Sequence, residues 1–481
     1  MLTGRIQVIS ADDAQRFDEA ARHVLERVGM RVLNTWMLDR CEQFGWQVDR
    51  AQATVRFAPQ LIEECTASDR ARPDTISAPR VPTTFGVGYG EHCFFVYDWL
   101  GRQQLAVGHD EQARMIRLGD AIPEVESMGL PVLDSQTDQR LEALEAAATI
   151  LANTSKPCWP GVRLADQVPY FVEISHLYEQ HTGREGAFIQ AGGCLTTPLC
   201  LGSRTADIAQ RFHEHGYRCV GFSSMPIAGG NSPVTLEGTV VMGVAELLAG
   251  WMIAKALAPD EPTRPGMIIS GILDMRTGRA SFGAPEACLQ DLAIHDTFLM
   301  RYGKSISLDL GAGYTEARVP GMMAAFEKCF KRTVFGCAVG LGLHLGTIDC
   351  ARAFSPTQAM LDLDYNEWSW RFFRGLSVSP ETLALEVIED IGCGEGKSFL
   401  GHDHTLANWR SLWTPRFWDR RTWQDGETES RRDLEVIAKA DAKWREVLEA
   451  APAPQVNEAL VEDVRRVVAR ARQELAGASP A

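Results

Sequence analysis

Trp99, Trp159, Arg163, Gln190, Phe222 and His344 are the residues whose types and positions could do chemistry together. Each stands within the second half of a short apolar run or just beyond its end, except Trp159, which is in the middle of its run. Indole faces attract an ammonium by about 0.5–2 kcal/mol each. An arginine grips a carboxylate through paired, charge-assisted hydrogen bonds. The set therefore points to a pocket for a small charged molecule, with a cation against the rings and an anion on Arg163 or His344. A tryptophan at a rim can equally be packing, and Arg163 can equally serve a structural ion pair. Farther along, Gly229-Gly230-Asn231 opens a glycine-rich loop that would let a flat or bulky group approach the backbone. The same loop also reads as a turn needing positive φ. The sequence carries no G-x-S-x-G nucleophile elbow and no recognisable Ser-His-Asp set, which argues against acyl-transfer hydrolysis.

The elements that must position these residues are eight short apolar runs alternating with helical patterns. The runs are Cys93–Asp98, Met128–Leu133, Pro157–Val162, Ala187–Gly192, Tyr217–Ser223, Gly266–Ile272, Ser305–Leu310 and Thr333–Leu341. Buried parallel strands read as continuous apolar runs because helices cover them. Eight β-then-α units predict a TIM (β/α)8 barrel over residues 83–380, whose site lies at the C-terminal strand ends. A doubly wound open sheet is the alternative, but its G-x-G-x-x-G fingerprint is missing. Residues 1–75 read as a helical extension, with helices after Ser10, over Leu33–Phe44 and over Pro59–Ala67. Residues 381–481 read as a C-terminal helical extension packed on the barrel or in an interface between copies.

Composition narrows the class. A net charge of −15 argues against nucleic acid and against an anionic membrane surface. No run of about 18 apolar residues is evident, so no membrane span is expected. The N-terminus lacks the features of a signal peptide. Twelve scattered cysteines without C-x-x-C spacing read as reduced thiols of a cytoplasmic protein, with no metal site expected. Two motifs are decoys. Gly392-Cys-Gly-Glu-Gly-Lys-Ser lacks the first glycine of a phosphate loop and reads as a helix C-terminus. Gly401-His-Asp-His-Thr reads as a polar turn.

Several stretches are distinctive. Gly229-Gly-Asn-Ser-Pro-Val-Thr-Leu-Glu-Gly, continuing to Ala245-Glu-Leu-Leu-Ala-Gly, resembles the trimethylamine:corrinoid methyltransferase family. So do Asp274-Met-Arg-Thr-Gly with Gly283-Ala-Pro-Glu, Phe399-Leu-Gly-His-Asp-His-Thr, and the tryptophan-rich Trp413–Trp423. The resemblance implies a TIM barrel that passes a methyl group to the cobalt(I) of a corrinoid held by a separate protein. The founding trimethylamine enzymes use pyrrolysine, which this sequence does not contain. Relatives without it are similar to quaternary-amine demethylases, so glycine betaine is the favoured donor. Trimethylamine, carnitine, proline betaine or another donor are alternatives, as is a non-catalytic betaine-binding protein. A corrinoid-binding Asp-x-His-x-x-Gly motif is absent, so the cofactor is expected to arrive on a partner docked at the barrel mouth. Exposed apolar residues should then ring that mouth.

Overall fold

The computed structural model describes residues 5–71, 73–74, 84–186, 188–189, 192–218, 221–308, 313–340, 342–394, 396–418, 420 and 428–476. The chain is a mixed α/β protein built around short parallel strands. Strand Val87–Tyr89 lies between two parallel neighbours, Val125–Gly129 and His344–Leu345. Val125–Gly129 in turn pairs with Cys158–Trp159. A second parallel set begins with Gly192–Cys194 beside Gly221–Ser223. It continues through a Ser224–Ile268 bridge to a bond from Ile268 N to Ser307 O (3.4 Å). Long helices follow these strands, among them Glu142–Asn153, Leu236–Leu257, Pro285–Tyr302 and Pro356–Arg374.

Two apolar cores fill the space between strands and helices. One gathers Tyr89, Met128 and Leu345 with Trp444 and Val464 of the C-terminal helices. The other gathers Phe222 and Ile268 with helix Leu236–Leu257 and the N-terminal helix Ala11–Arg27. Helix Leu236–Leu257 is long and apolar enough to cross a membrane, contrary to the expectation from sequence. Most of it is buried between other elements, as befits a core helix. Its one buried carboxylate, Glu246, accepts hydrogen bonds from Thr197 Oγ1 (2.8 Å) and Leu199 N (2.7 Å).

The N-terminal region holds the three expected helices plus a small sheet of Met30–Val32, Gln47–Asp49 and Thr54–Arg56, extended by Cys200–Leu201. These three-residue strands are too short to register as a pattern. Two long C-terminal helices form, Glu429–Ala450 against His109–Ala121 and Glu458–Ala476 against Glu142–Asn153 and Val168–Thr182.

Two expected strands are displaced. Phe95–Asp98 is a strand, but it pairs antiparallel with Gln103–Leu105 in a separate four-stranded sheet. The place beside Val125–Gly129 belongs to Val87–Tyr89, a shorter segment interrupted by glycine. Thr333–Leu341 falls largely in the helix Met322–Ala338, and His344–Leu345 is the strand. That helix buries Lys328, Lys331 and Arg332 along with Ala324, Phe335 and Ala338, so charged residues interrupt its apolar inner face. Ser305–Leu308 forms no regular strand, and residues 309–310 lie outside the described residues.

The buried charges of that helix tie down the strand end at His344. Asp362 Oδ2 accepts from Lys328 Nζ (2.6 Å) and from Gly346 N (2.8 Å). Arg332 Nη2 donates to His344 O (3.0 Å). Burial pulls the Lys328 ammonium down to about 8, while Asp362 opposes the shift.

Candidate functional site

The parallel strands converge on a polar cluster at their C-terminal ends. Beyond Val87–Tyr89 come Glu91 and His92; Trp159 ends its own strand; His344 begins the neighbouring one. Glycine makes the floor. A Cβ on Gly88 would come within 2.9 Å of the His344 ring, and one on Gly129 within 2.5 Å of the Trp159 ring. Glycine inside a strand marks such close approaches.

His344 Nδ1 sits 2.9 Å from Glu91 Oε1, with the Glu91 side chain only 5% exposed. The approach is close but not aligned as a hydrogen bond. Tyr314 faces the same carboxylate. Burial, and then Glu91, raise its phenol well above the ordinary range, so it stays protonated. Phe282 packs edge-on to the Tyr314 ring at 5.8 Å. This side of the cluster therefore presents an anion beside a phenol.

The opposite side is cationic. His92 Nε2 lies 2.9 Å from Pro160 O. Burial and then Arg163 pull this imidazole down to about 4, so it is neutral near pH 7. A neutral ring whose Nε2 donates to a carbonyl keeps Nδ1 as an acceptor. The Trp159 ring lies 6.3 Å from the His92 ring, centroid to centroid. Arg163 Nε donates to Glu142 (3.0 Å), while its Nη2 is buried without a hydrogen-bond partner. A buried guanidinium nitrogen left unpaired is costly, which marks it as awaiting an acceptor.

Of the residues singled out from sequence, Trp159, Arg163 and His344 come together here. Trp99 does not. It lines a separate cleft of about 470 Å³ with Leu105 and Trp444, on the outer side of the Phe95–Asp98 hairpin. Phe222 points away, buried against helix Leu236–Leu257, where a Cβ on Gly250 would touch its side chain at 3.0 Å. Gln190 lies outside the described residues.

Gly229, Gly230 and Asn231 form a tight turn after strand Ile227–Ala228. Gly229 N donates to Ser232 O, and the N–H groups of Gly230 and Asn231 both reach Ile227 O. Asn231 Oδ1 accepts from Ile227 N (2.6 Å). These groups are spent on the turn itself, so the loop offers an incoming flat molecule shape rather than hydrogen bonds.

Reading from sequence missed Glu91 and His92, and gave Tyr314 no role. The run Gly86-Val-Gly-Tyr-Gly-Glu-His held the signal, since alternating glycines ending in two ionisable residues mark a close-packed strand end. The first decoy behaves as expected: Gly392 closes helix Leu385–Ile391 with its N–H on Ile388 O. The second, expected as a polar turn, instead opens the short helix Asp403–Asn408, where His402 Nδ1 accepts from His404 N (3.0 Å).

Val234 and Met275, which follow strands Ile227–Ala228 and Gly271–Asp274, are exposed, as are Val319, Met322 and Phe326 at and before the start of helix Met322–Ala338; these are the candidates for an apolar rim.

Comparison with known proteins gives a consistent result. A family model described as trimethylamine methyltransferase (MTTB) matches residues 2–476. The trimethylamine methyltransferase MttB2 of Methanosarcina mazei is 26% identical over 482 residues, covering 97% of this chain and 95% of the relative. The MttB of Desulfitobacterium hafniense is 24% identical over 411 residues, covering 82% and 80%. The glycine betaine methyltransferase of Desulfitobacterium hafniense is 23% identical over 459 residues, covering 93% of each.

Proposed function

The chain belongs to the trimethylamine methyltransferase family, and from that premise we propose that it moves a methyl group from a quaternary amine, glycine betaine first, to the cobalt(I) of a corrinoid carried by a separate protein. The observation that carries the choice of donor is the two-ended cluster. Glu91, on one side, suits an ammonium. The unpartnered Arg163 Nη2 suits a carboxylate. A zwitterion uses both ends, whereas trimethylamine would use one.

The reduced corrinoid is a co-substrate that supplies the nucleophile: a cobalt–carbon bond forms, the carbon–nitrogen bond breaks, and its electron pair stays on nitrogen. Because the donor nitrogen is already cationic, a neutral tertiary amine leaves and no proton is needed. The protein's own part is positioning and exclusion of water. Glu91 holds the ammonium from one side. Tyr314, kept protonated, can donate toward Glu91 or the substrate carboxylate without adding charge. Neutral His92 adds bulk and an acceptor without repelling the cation. The apolar rim suits the corrinoid protein, whose flat cofactor must seal the mouth.

The architecture that fits this reading is a closed (β/α)8 barrel over residues 83–380, with extensions at 1–75 and 381–481. Parallel pairings support it in the order Val87, Val125, Cys158, then Gly192, Gly221, Ile268 and Ser307, and finally His344 back to Gly88. The free thiols fit a reducing, cytoplasmic setting, where cobalt(I) also survives.

The test mixes purified protein with cob(I)alamin and a panel of methyl donors, followed by visible spectroscopy. Methylcobalamin should form with glycine betaine. Formation with trimethylamine and none with betaine overturns the choice of donor. Tight betaine binding with no methyl loss under any condition would favour a binding protein.

A further inference from the structure

A second apolar surface lies at the end of the molecule opposite the cluster. Helix Pro356–Arg374 starts where Ser355 N donates to Gly346 O (2.8 Å) and passes His344 at Asn366, whose Nδ2 donates to His344 O (3.4 Å). Its length of about 28 Å carries the chain toward the N-terminal ends of the parallel strands. The chain is back at that end by Arg416, whose Nη2 pairs with Glu124 (2.7 Å), the residue just before strand Val125–Gly129. Residues 375–394 and 396–415 form an arm between these two points.

The arm has shape but no core. Its helices, Pro380–Leu383, Leu385–Ile391 and Asp403–Asn408, have 4, 7 and 6 residues. Isolated helices below about 12–15 residues are marginal in water. Lys397 Nζ bonds Asp390 (2.6 Å) across the arm, and Arg371 Nη1 holds Ser411 O (2.8 Å) at its base. Yet Ile391 is the only buried residue in those three helices. Ten large apolar side chains between residues 376 and 412 are 49% exposed or more, with Leu376 at 89% and Leu400 at 86%. Summed along the arm, they expose on the order of 1,000 Å² of apolar area. That is about what one partner of a stable interface buries, roughly 800 Å².

We infer that this arm is a self-association element, buried against a second copy of the same chain. Its position argues against the corrinoid protein as occupant, because cobalt must reach Glu91 and His344 at the other end. Its composition argues the same way. A partner that docks and leaves needs a surface that stays hydrated between visits, whereas permanent homo-oligomer interfaces are more apolar. A twofold arrangement lets each arm cover the same face of its neighbour and leaves both apolar rims free.

Sedimentation of the full chain at micromolar concentration should give twice the 53.1 kDa chain mass or a higher multiple. The triple variant Leu385→Glu, Ile388→Lys, Leu400→Glu should sediment as a monomer with unchanged circular dichroism. The rim variant Met322→Asp, Phe326→Asp should keep the wild-type mass. A monomeric wild type, an intact oligomer in the triple variant, or dissociation by the rim variant would each overturn the inference. Should the triple variant fail to fold, hydrogen exchange on wild type decides. Arm amides should lose protection on dilution, and protection independent of concentration would refute self-association.

Discussion

Replacing Glu91 by glutamine keeps the side-chain shape and removes the charge assigned to the donor's nitrogen. Glu91 is 5% exposed, so its field is weakly screened. The methyl groups of a quaternary ammonium hold its nitrogen about 4.5–5 Å from a carboxylate oxygen. At an effective dielectric near 20, that separation is worth about 3.5 kcal/mol, which corresponds to a roughly 200- to 400-fold weaker dissociation constant. Titration calorimetry would compare wild type and Glu91→Gln with glycine betaine and with its carbon isostere, 3,3-dimethylbutanoate. Wild type should strongly prefer betaine. The variant should lose that preference, chiefly through weaker betaine binding. Unchanged betaine affinity in a folded Glu91→Gln, or a loss shared equally by the isostere, would refute the reasoning.

Arg163→Met should weaken betaine binding by about 10- to 150-fold, as a lost hydrogen bond to a charged group of roughly 1.5–3 kcal/mol requires. Tetramethylammonium binding, measured by the same calorimetry, should change little. Asp362→Asn leaves Lys328 and Arg332 buried with no full negative charge, which should cost about 3–5 kcal/mol. For 481 residues, 1 kcal/mol moves Tm by about 1 °C, so calorimetry should record a drop of roughly 3–5 °C. Burial pushes the Asp291 carboxyl up to about 7, against the pull of Lys331. The folded state therefore holds this proton more tightly than the unfolded chain, and stability present below pH 3.8 declines as pH rises through 7. Asp291→Asn should flatten that decline, raising Tm at pH 8 and leaving it nearly unchanged at pH 4.

The β-then-α alternation was legible because parallel strands and their helices carry long apolar runs, and the C-terminal helices because Ile437, Trp444, Val464 and Ala471 recur on one face. Errors fell where that signal is weak. Val87–Tyr89 is three residues long between glycines, so the richer Phe94-Phe-Val-Tyr run drew the strand assignment. Helix Met322–Ala338 turns lysine and arginine inward against Asp362, inverting the usual code. The candidate site was legible in part. Strand-end position picked out Trp159, Arg163 and His344, which the structure brings into one cluster, but the misplaced first strand passed over Glu91 and His92 and drew in Trp99. Phe222 lies apart from that cluster because side chains alternate along a strand, and this one faces the helices.

The central claim concerns where one methyl group goes. In a single turnover, protein, cob(I)alamin and betaine carrying ¹³C on its N-methyl groups are mixed and quenched, and the products are read by NMR. Labelled methylcobalamin and dimethylglycine should appear together in equal amounts. Labelled methyl left wholly on betaine, or dimethylglycine formed without labelled methylcobalamin, would contradict the account.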